Sequence, residues 1–105
     1  MEEISPQILK EKMDKGEKFC LVDVRLPEET SICSISESLL MPLHELDQHF
    51  DHIPKNIPIV AVCHHGIRSQ RAALLLLSAG FKNVYSLKGG VHAWSQTIDP
   101  TMPIY

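Results

Sequence analysis

Apolar residues along the chain fall into short runs, and segments of helical character separate these runs. Cys20–Val24 is apolar except for one acid, and Ile59–Val62 is apolar throughout, a pattern typical of strands buried on both faces of a parallel sheet. Ser38–Met41 and Val84–Ser86 predict two shorter strands. Because strands and helical segments alternate, the pattern predicts an α/β fold with a mainly parallel sheet.

The segments between these runs predict helices. Ser5 is a suitable N-cap residue, and Pro6 suits the first helical position that follows it. Gly16 and Gly80 stand where a helix would end. The pattern predicts helices over approximately Pro6–Lys15, Pro42–Phe50, Ser69–Ala79 and Val91–Gln96.

Length and composition limit the classes of protein that the chain can represent. The 105 residues correspond to a single domain over residues 1–105, in which residues 96–105 form an extended C-terminal tail. A hydrophobic content of 44% and a charged content of 22% are those of a soluble globular protein. The net charge of -3 offers no broad cationic surface, so neither nucleic acid nor a membrane is expected as a partner. The longest apolar run, Ala72–Leu77, is too short to cross a bilayer.

The three cysteines are Cys20, Cys33 and Cys63. An odd number of cysteines without a secretory signal argues against a disulfide framework and favours the cytoplasm as the location. Cys20 lies inside an apolar run and is expected to pack in the core.

Cys63 stands at the carboxyl end of the predicted strand Ile59–Val62, directly before a short loop and a helix. Ligands of α/β sheets bind outside these strand ends. A free thiol has a pKa of about 8.5, and a helix N-terminus, the loop amides and the permanent charge of Arg68 all favour its thiolate. Gly66 allows a backbone conformation that a Cβ would strain. The loop therefore predicts a cradle for an anion on or beside the sulfur of Cys63.

Such a cradle suits two kinds of chemistry. In phosphoryl transfer the cysteine attacks phosphorus, whereas in sulfur transfer it takes a sulfur atom and holds it as a persulfide. A phosphate needs a wider ring of amides than a single extra sulfur atom, so the length of the loop separates the two. Either reaction requires the amides to face the sulfur and the thiol to be reachable from solvent.

The loop Cys63–Arg68 resembles the six-residue active-site loop of rhodaneses, which begins with cysteine and ends with arginine. The corresponding loop of related phosphatases is one residue longer. Leu21–Arg25 with Pro27–Glu29 resembles the N-terminal motif of the family, and Leu87–Trp94 resembles its C-terminal motif. The tail Asp99–Tyr105 is similar to the end of rhodanese domains fused to sulfur-carrier-activating enzymes.

The resemblance implies a three-layer domain whose mainly parallel sheet of about five strands is flanked by helices. It implies a sulfurtransferase that moves a sulfane sulfur from thiosulfate or a persulfide donor, through a Cys63 persulfide, to a thiol, cyanide or protein acceptor. Cys63 would be catalytic, and no cofactor or metal would be required. The substrate-binding loop would consist of His64, His65, Gly66, Ile67, Arg68 and Ser69.

The roles of several residues stay open. Asp23 and Arg25 either support the site or belong to a structural ion pair, with Glu28 or Glu29 as the partner of Arg25. Cys33 is either a bystander or a thiol that resolves the Cys63 persulfide as a disulfide.

The chain departs from the family in two places. Ser34–Ser38 stands where the family usually has a His-Ile-Pro-Gly-Ala-like segment. His64 stands where the family often has arginine, so with His65 it makes the loop less cationic and predicts a weak or pH-dependent preference for an anionic donor. The adjacent histidines are expected to point in different directions, which argues against a metal site.

Two other functions compete with sulfur transfer. The first is a non-enzymatic rhodanese-like module that binds a partner or senses redox state. The second is a cysteine-dependent phosphatase or arsenate reductase, against which the length of the loop counts.

Overall fold

The computed structural model describes all 105 residues, and its strands form one five-stranded sheet in which every pairing is parallel. The order across the sheet is β1-β5-β4-β2-β3. The predicted parallel α/β sheet is therefore confirmed. The strands are β1 (Glu2–Ile4), β2 (Cys20–Asp23), β3 (Leu39–Leu40), β4 (Ile59–Val62) and β5 (Val84–Leu87).

Four α-helices and one 3₁₀ helix connect these strands. The Ser5 hydroxyl accepts a hydrogen bond from the amide of Ile8 at 3.2 Å, which confirms the predicted N-cap of the first helix. None of the helices combines the length and the apolar character that a bilayer-spanning segment needs. The α-helices are α1 (Pro6–Asp14), α2 (Pro27–Thr30), α3 (Ile67–Ser78) and α4 (Gly90–Thr97).

The helix predicted over Pro42–Phe50 is a 3₁₀ helix over Leu43–His52. Leu43 and Leu46 both pack on the core, and residues three apart lie directly above one another in a 3₁₀ helix. The tighter helix therefore keeps both leucines on one side.

Alternate residues of the central strands face opposite sides of the sheet. Val22 and Ala61 belong to a core cluster that contains residues of α3 and the 3₁₀ helix. Leu21 and Val60 belong to the other cluster, which contains residues of α1 and α4, including Trp94. Because apolar side chains leave both faces, both strands are buried on each side, and the domain has three layers.

The chain changes direction across the sheet between β2 and β4. It passes from β2 to its outer neighbour β3 and then returns to β4 on the other side of β2. In open α/β sheets the crevice at such a switch point, beyond the carboxyl ends of the strands, is where ligands bind. Cys63 directly follows β4 and Arg25 lies shortly after β2, so the topology places both residues at this crevice.

The C-terminal tail begins two residues later than the sequence predicts, after Thr97, and it is anchored to the domain. The amide of Met102 donates to the carbonyl of Asp99 at 3.0 Å and so closes a turn. The hydroxyl of Ser95 in α4 donates to the carbonyl of Met102 at 2.6 Å. Since Met102 is also buried against the α1 and α4 layer, the tail is folded onto the domain.

The first turn of α4 lies directly against the loop that follows β4. The amide of Val91 donates to the carbonyl of Cys63 at 2.9 Å, and the amide of His92 donates to the carbonyl of His64 at 3.1 Å. A Cβ at position 90 would overlap the backbone of both loop residues. The predicted turn therefore also serves as a packing contact that only Gly90 permits.

We expect Gly90→Ala to destabilise the fold more than Gly16→Ala. Both glycines have positive φ, at +62° and +87°, so each substitution costs about 1–2 kcal/mol for the backbone. Only Gly90→Ala adds a steric clash, since a Cβ at Gly16 meets nothing within 4 Å. We expect a further loss of about 1–3 kcal/mol in the free energy of unfolding, measured by urea denaturation with Trp94 fluorescence. Equal losses in the two variants would contradict the proposed close contact.

Candidate active site

The sulfur of Cys63 lies inside a ring of hydrogen-bond donors. The backbone N–H of Gly66 donates to Sγ at 3.0 Å, and the backbone N–H of Ser69 donates to it at 3.3 Å. The side-chain oxygen of Ser69 lies 3.3 Å from the same sulfur. Loop amides therefore face the sulfur, as the chemistry requires, although one of the two donating amides belongs to Ser69, beyond the Cys63–Arg68 loop.

The ring depends on the way that α3 begins. Gly66 precedes the helix with φ of +103°, a left-handed conformation that suits glycine. Ser69 lies in the first turn of α3, where backbone N–H groups have no partner within the helix. One of these free groups bonds the sulfur, so the positive end of the helix dipole lies beside it and favours negative charge there.

A second serine extends the contact of Ser69 with the sulfur. The hydroxyls of Ser69 and Ser86 lie 2.6 Å apart, and both residues are buried. When Cys63 is a thiol, its S–H donates to the oxygen of Ser69. Once Cys63 is a thiolate it can only accept, so the Ser69 hydroxyl must turn to donate to the sulfur and accept from Ser86 instead. The serine pair can thus adapt to either protonation state.

Cys63 is 1% exposed, and its residue belongs to the core cluster on the α3 side of the sheet. The access that the chemistry requires is therefore closed in this conformation. A shallow pocket of about 460 Å³ lies next to the loop, and Val24 and Arg68 form parts of its wall. Val24 belongs to the same core cluster as Cys63, so this pocket lies on the side of the sheet that carries the sulfur.

Arg68 is held by a carboxylate. Its two terminal nitrogens donate to the two oxygens of Glu29 at 2.6 and 2.8 Å, in a bidentate pair. These hydrogen bonds lower the pKa of Glu29 to about 2 and raise the pKa of Arg68 above its ordinary value. Since the charge of Arg68 is already paired, the guanidinium shapes the loop and is not free for an anionic donor in this conformation.

Asp23 and Arg25 form a buried ion pair with each other. The Nη2 and Nε atoms of Arg25 donate to Asp23 oxygens at 2.7 and 3.0 Å, and both side chains are at most 1% exposed. Nη2 also donates to the carbonyl of Cys33 at 2.8 Å. The expectation that Arg25 pairs with the Glu28 or Glu29 carboxylate is wrong, because Asp23 is the closer partner at the end of β2. This pair anchors the segment after β2.

Tyr105 joins this ion pair to the Arg68 pair. Its hydroxyl accepts from Nη1 of Arg25 at 2.9 Å and donates to Glu29 at 2.7 Å. Its ring stacks on His64, with centroids 3.8 Å apart and planes within 6° of parallel. Burial raises the pKa of Tyr105 to about 12, which keeps the hydroxyl protonated as a donor. No local sequence pattern identifies Tyr105 as a residue of the site. The similarity of the tail to other rhodanese tails is the one sequence feature that points to it.

The imidazoles of His64 and His65 lie together. Their ring centroids are 3.9 Å apart, and the ring of His92 in α4 is 4.9 Å from that of His65. The expectation that the adjacent histidines point in different directions is wrong, because the loop bends so that the two rings lie side by side at 31° to each other. Burial lowers the pKa of His64, and the neighbouring His65 lowers it further. His64 is therefore uncharged over a wider pH range than a free histidine.

Of the remaining predicted residues, Ile67 is exposed, whereas Cys33 and Cys20 are buried. Ile67 begins α3 and is 78% exposed, so its side chain is directed away from the sulfur. Cys33 is buried in the cluster on the α1 and α4 side, whereas Cys63 belongs to the opposite cluster. Cys20 packs in the core as predicted, and burial raises its pKa.

Comparisons with known sequences identify a family that covers most of the chain. The rhodanese-like domain profile matches residues 5–97. Thiosulfate sulfurtransferase GlpE of Ectopseudomonas mendocina is 37% identical over 94 residues, which cover 90% of this chain and 84% of that protein. Adenylyltransferase and sulfurtransferase MOCS3-2 of Zea mays is 36% identical over 103 residues, and the chain spans only 21% of its length.

A solved structure is similar to this chain over the whole fold. The crystal structure of a rhodanese-like domain protein from Staphylococcus aureus superposes with a TM-score of 0.86 at 30% sequence identity. The match covers 100% of this chain and 99% of that one. With its sulfur-centred loop and its match over residues 5–97, the chain belongs to the rhodanese-like domain family.

Proposed function

We propose that this chain is a sulfurtransferase that carries a sulfane sulfur as a persulfide on Cys63. The observation that carries the proposal is the pair of backbone N–H groups, of Gly66 and Ser69, that donate to one sulfur within 3.3 Å. The Ser69 hydroxyl lies at the same distance and can donate once the sulfur is a thiolate. Preorganised donors stabilise negative charge without having to reorganise during the reaction. The thiolate and the persulfide anion both place that charge inside this ring.

The proposed reaction proceeds in two steps. The Cys63 thiolate attacks the outer sulfur of thiosulfate, the S–S bond of the donor breaks, and sulfite leaves with the bonding electrons. Cys63 then carries the transferred sulfur as a persulfide anion. An acceptor thiolate or cyanide attacks this outer sulfur, and the thiolate of Cys63 returns as the leaving group.

Relatives support a small sulfur donor. The name of the GlpE relative gives thiosulfate as the substrate of that protein, and the match covers most of both chains. A persulfide donor would react at Cys63 by the same attack and would leave as a thiolate. For the acceptor we propose a thiol, cyanide or a protein.

Burial of Cys63 means that the donor enters only after a local opening. Arg68 ends the sulfur-bearing loop and lines the shallow pocket, and Glu29 holds it in place. Release of this pair would free a guanidinium beside the pocket, where it would attract an anionic donor. We therefore propose that the donor approaches from the Arg68 side.

The same burial favours one alternative function. A thiol that is 1% exposed suits a module that binds a partner without sulfur chemistry. The ring of donors around the sulfur has no purpose in that alternative, and for this reason we favour the enzyme.

We expect Cys63→Ser to abolish the release of thiocyanate from thiosulfate and cyanide, because no other cysteine lies in the donor ring. Cys33→Ser is the matched control, since Cys33 belongs to the opposite core cluster, and it should retain activity. Intact-mass spectrometry should show one added sulfur atom on the wild type and on Cys33→Ser alone. Full activity of Cys63→Ser would disprove the mechanism, and a wild type that no donor can persulfidate would favour the binding module.

We expect Ser69→Ala to lower kcat of cyanolysis by about tenfold or more, since it removes one donor to the negatively charged sulfur. Ser86→Ala is the matched control, because it breaks the same serine pair but leaves the Ser69 hydroxyl beside the sulfur. Steady-state kinetics should show a clearly smaller loss for this variant. Equal losses would mean that the serine pair, and not the contact with the sulfur, determines the rate.

Glu29 should make the stability of the fold depend on acid. Its pKa of about 2 lies below its ordinary value of 4.5, so the folded state binds fewer protons than the unfolded state. The stabilisation is complete above about pH 4.5 and is lost as the pH falls towards 2.

We therefore expect Glu29→Gln and Arg68→Gln each to flatten the fall in the free energy of unfolding between these pH values, because each breaks the same pair. Urea denaturation at a series of acidic pH values measures this slope. If both variants kept the slope of the wild type, the pair would not be its cause.

A further inference from the structure

A cluster of three histidines lies outside the sulfur chemistry described above. His64 and His65 belong to the loop, and His92 lies in α4. One ring nitrogen from each of them lies within 4.8 Å of the others. Sulfur transfer uses the backbone of this loop, so the three imidazole rings have no part in it.

The ring of His64 and the backbone of His92 are held in place by their surroundings. The ring of His64 stacks on Tyr105 at 3.8 Å. The backbone of His92 is bound to that of His64 by a hydrogen bond of 3.1 Å, so α4 and the loop keep a fixed separation. The His64 ring and the backbone that carries the His92 ring are therefore positioned before any ligand arrives.

The same two side chains carry buried nitrogens without a partner. Neither Nε2 of His64 nor Nδ1 of His92 makes a hydrogen bond, although both atoms are inaccessible to solvent. A buried polar atom without a partner costs about 1–3 kcal/mol, and such atoms are rare in native structures. A ligand that accepts the lone pairs of these nitrogens would remove this cost.

We propose that His64, His65 and His92 bind one divalent transition-metal ion of the class that prefers imidazole ligands, such as Zn²⁺, Ni²⁺ or Cu²⁺. This site is contrary to the sequence-based prediction of no metal. Three imidazoles leave the fourth position of a tetrahedral ion open to water or another ligand.

The spacing of the nitrogens suits this class of ion after a small adjustment. Zn–N bonds of about 2.0–2.1 Å place tetrahedral ligands roughly 3.3 Å apart. The nitrogens of the cluster, which lie within 4.8 Å of one another, must therefore move closer together. His65 is exposed, so its side chain has the freedom to approach the other two. The rings of His64 and His92, whose centroids are 6.2 Å apart, must also turn towards each other when the ion binds.

Calorimetric titration of the tag-free chain with ZnCl₂ tests the proposal, and we expect one ion per chain. His92→Gln should weaken binding by at least about tenfold, because loss of even a supporting partner of a metal ligand costs about 10–100-fold. His52→Gln is the matched control, since His49 and His52 form another neighbouring pair with rings 6.2 Å apart, and it should bind as the wild type does. Cys63→Ser should also retain binding.

A second measurement on the wild type does not depend on the folding of any variant. Paramagnetic Ni²⁺ should broaden the NMR ring signals of His64, His65 and His92, and leave those of the other three among the six histidines sharp. Absence of zinc binding, undiminished binding by His92→Gln, loss of binding in Cys63→Ser, or broadening at His44, His49 and His52 would each overturn the proposed site.

Discussion

The backbone ring around the sulfur of Cys63 is the constraint on which the rest of the site depends. Its N–H groups face the sulfur only because Gly66 adopts a left-handed conformation and α3 begins immediately afterwards. The ring is also held from the other side, because the carbonyls of Cys63 and His64 are bonded to α4. Two helices from opposite layers of the domain therefore fix the backbone of one short loop. This arrangement explains the need for glycine at both Gly66 and Gly90.

A chain of charged and polar side chains supports the ring from the β2 side. Asp23 neutralises Arg25 in the interior, where an unpaired charge would be costly. Arg25 and Glu29 both bond the hydroxyl of Tyr105, and Glu29 in turn fixes Arg68 beside the loop. The positive charges near the site are thus balanced by carboxylates. The groups that would stabilise negative charge on the sulfur are therefore mainly the backbone dipoles of the loop and of α3.

Much of this architecture could be predicted from the sequence, because local patterns determine it. The runs Cys20–Val24 and Ile59–Val62 are apolar enough to indicate buried parallel strands, and Ser5 with Pro6 marks a helix start. The strand Glu2–Ile4 could not be predicted, since only Ile4 is buried and the strand is defined by pairing with β5. The helix α2 has only four residues and none of them is buried, so it has no apolar pattern to detect.

The site itself was only partly predictable, for a related reason. Cys63, Gly66 and Ser69 are close in sequence, and a loop motif identifies them. The partners of Arg25 and Arg68 depend on contacts between distant segments, such as the 39 positions that separate Arg68 from Glu29. The close approach of His64 to His65 depends on the bend of the loop and on Tyr105, neither of which leaves a local pattern.

The position of Tyr105 has a consequence for how the domain would respond to change. One side chain at the far end of the chain bonds Arg25 and Glu29, which follow β2, and stacks on His64, the residue next to Cys63. Although the tail makes no hydrogen bond to the sulfur of Cys63, it helps to form the surroundings in which, on the proposed function, that sulfur would react. Divergence of the tail among related chains would therefore tune reactivity from a distance while the loop motif stayed the same.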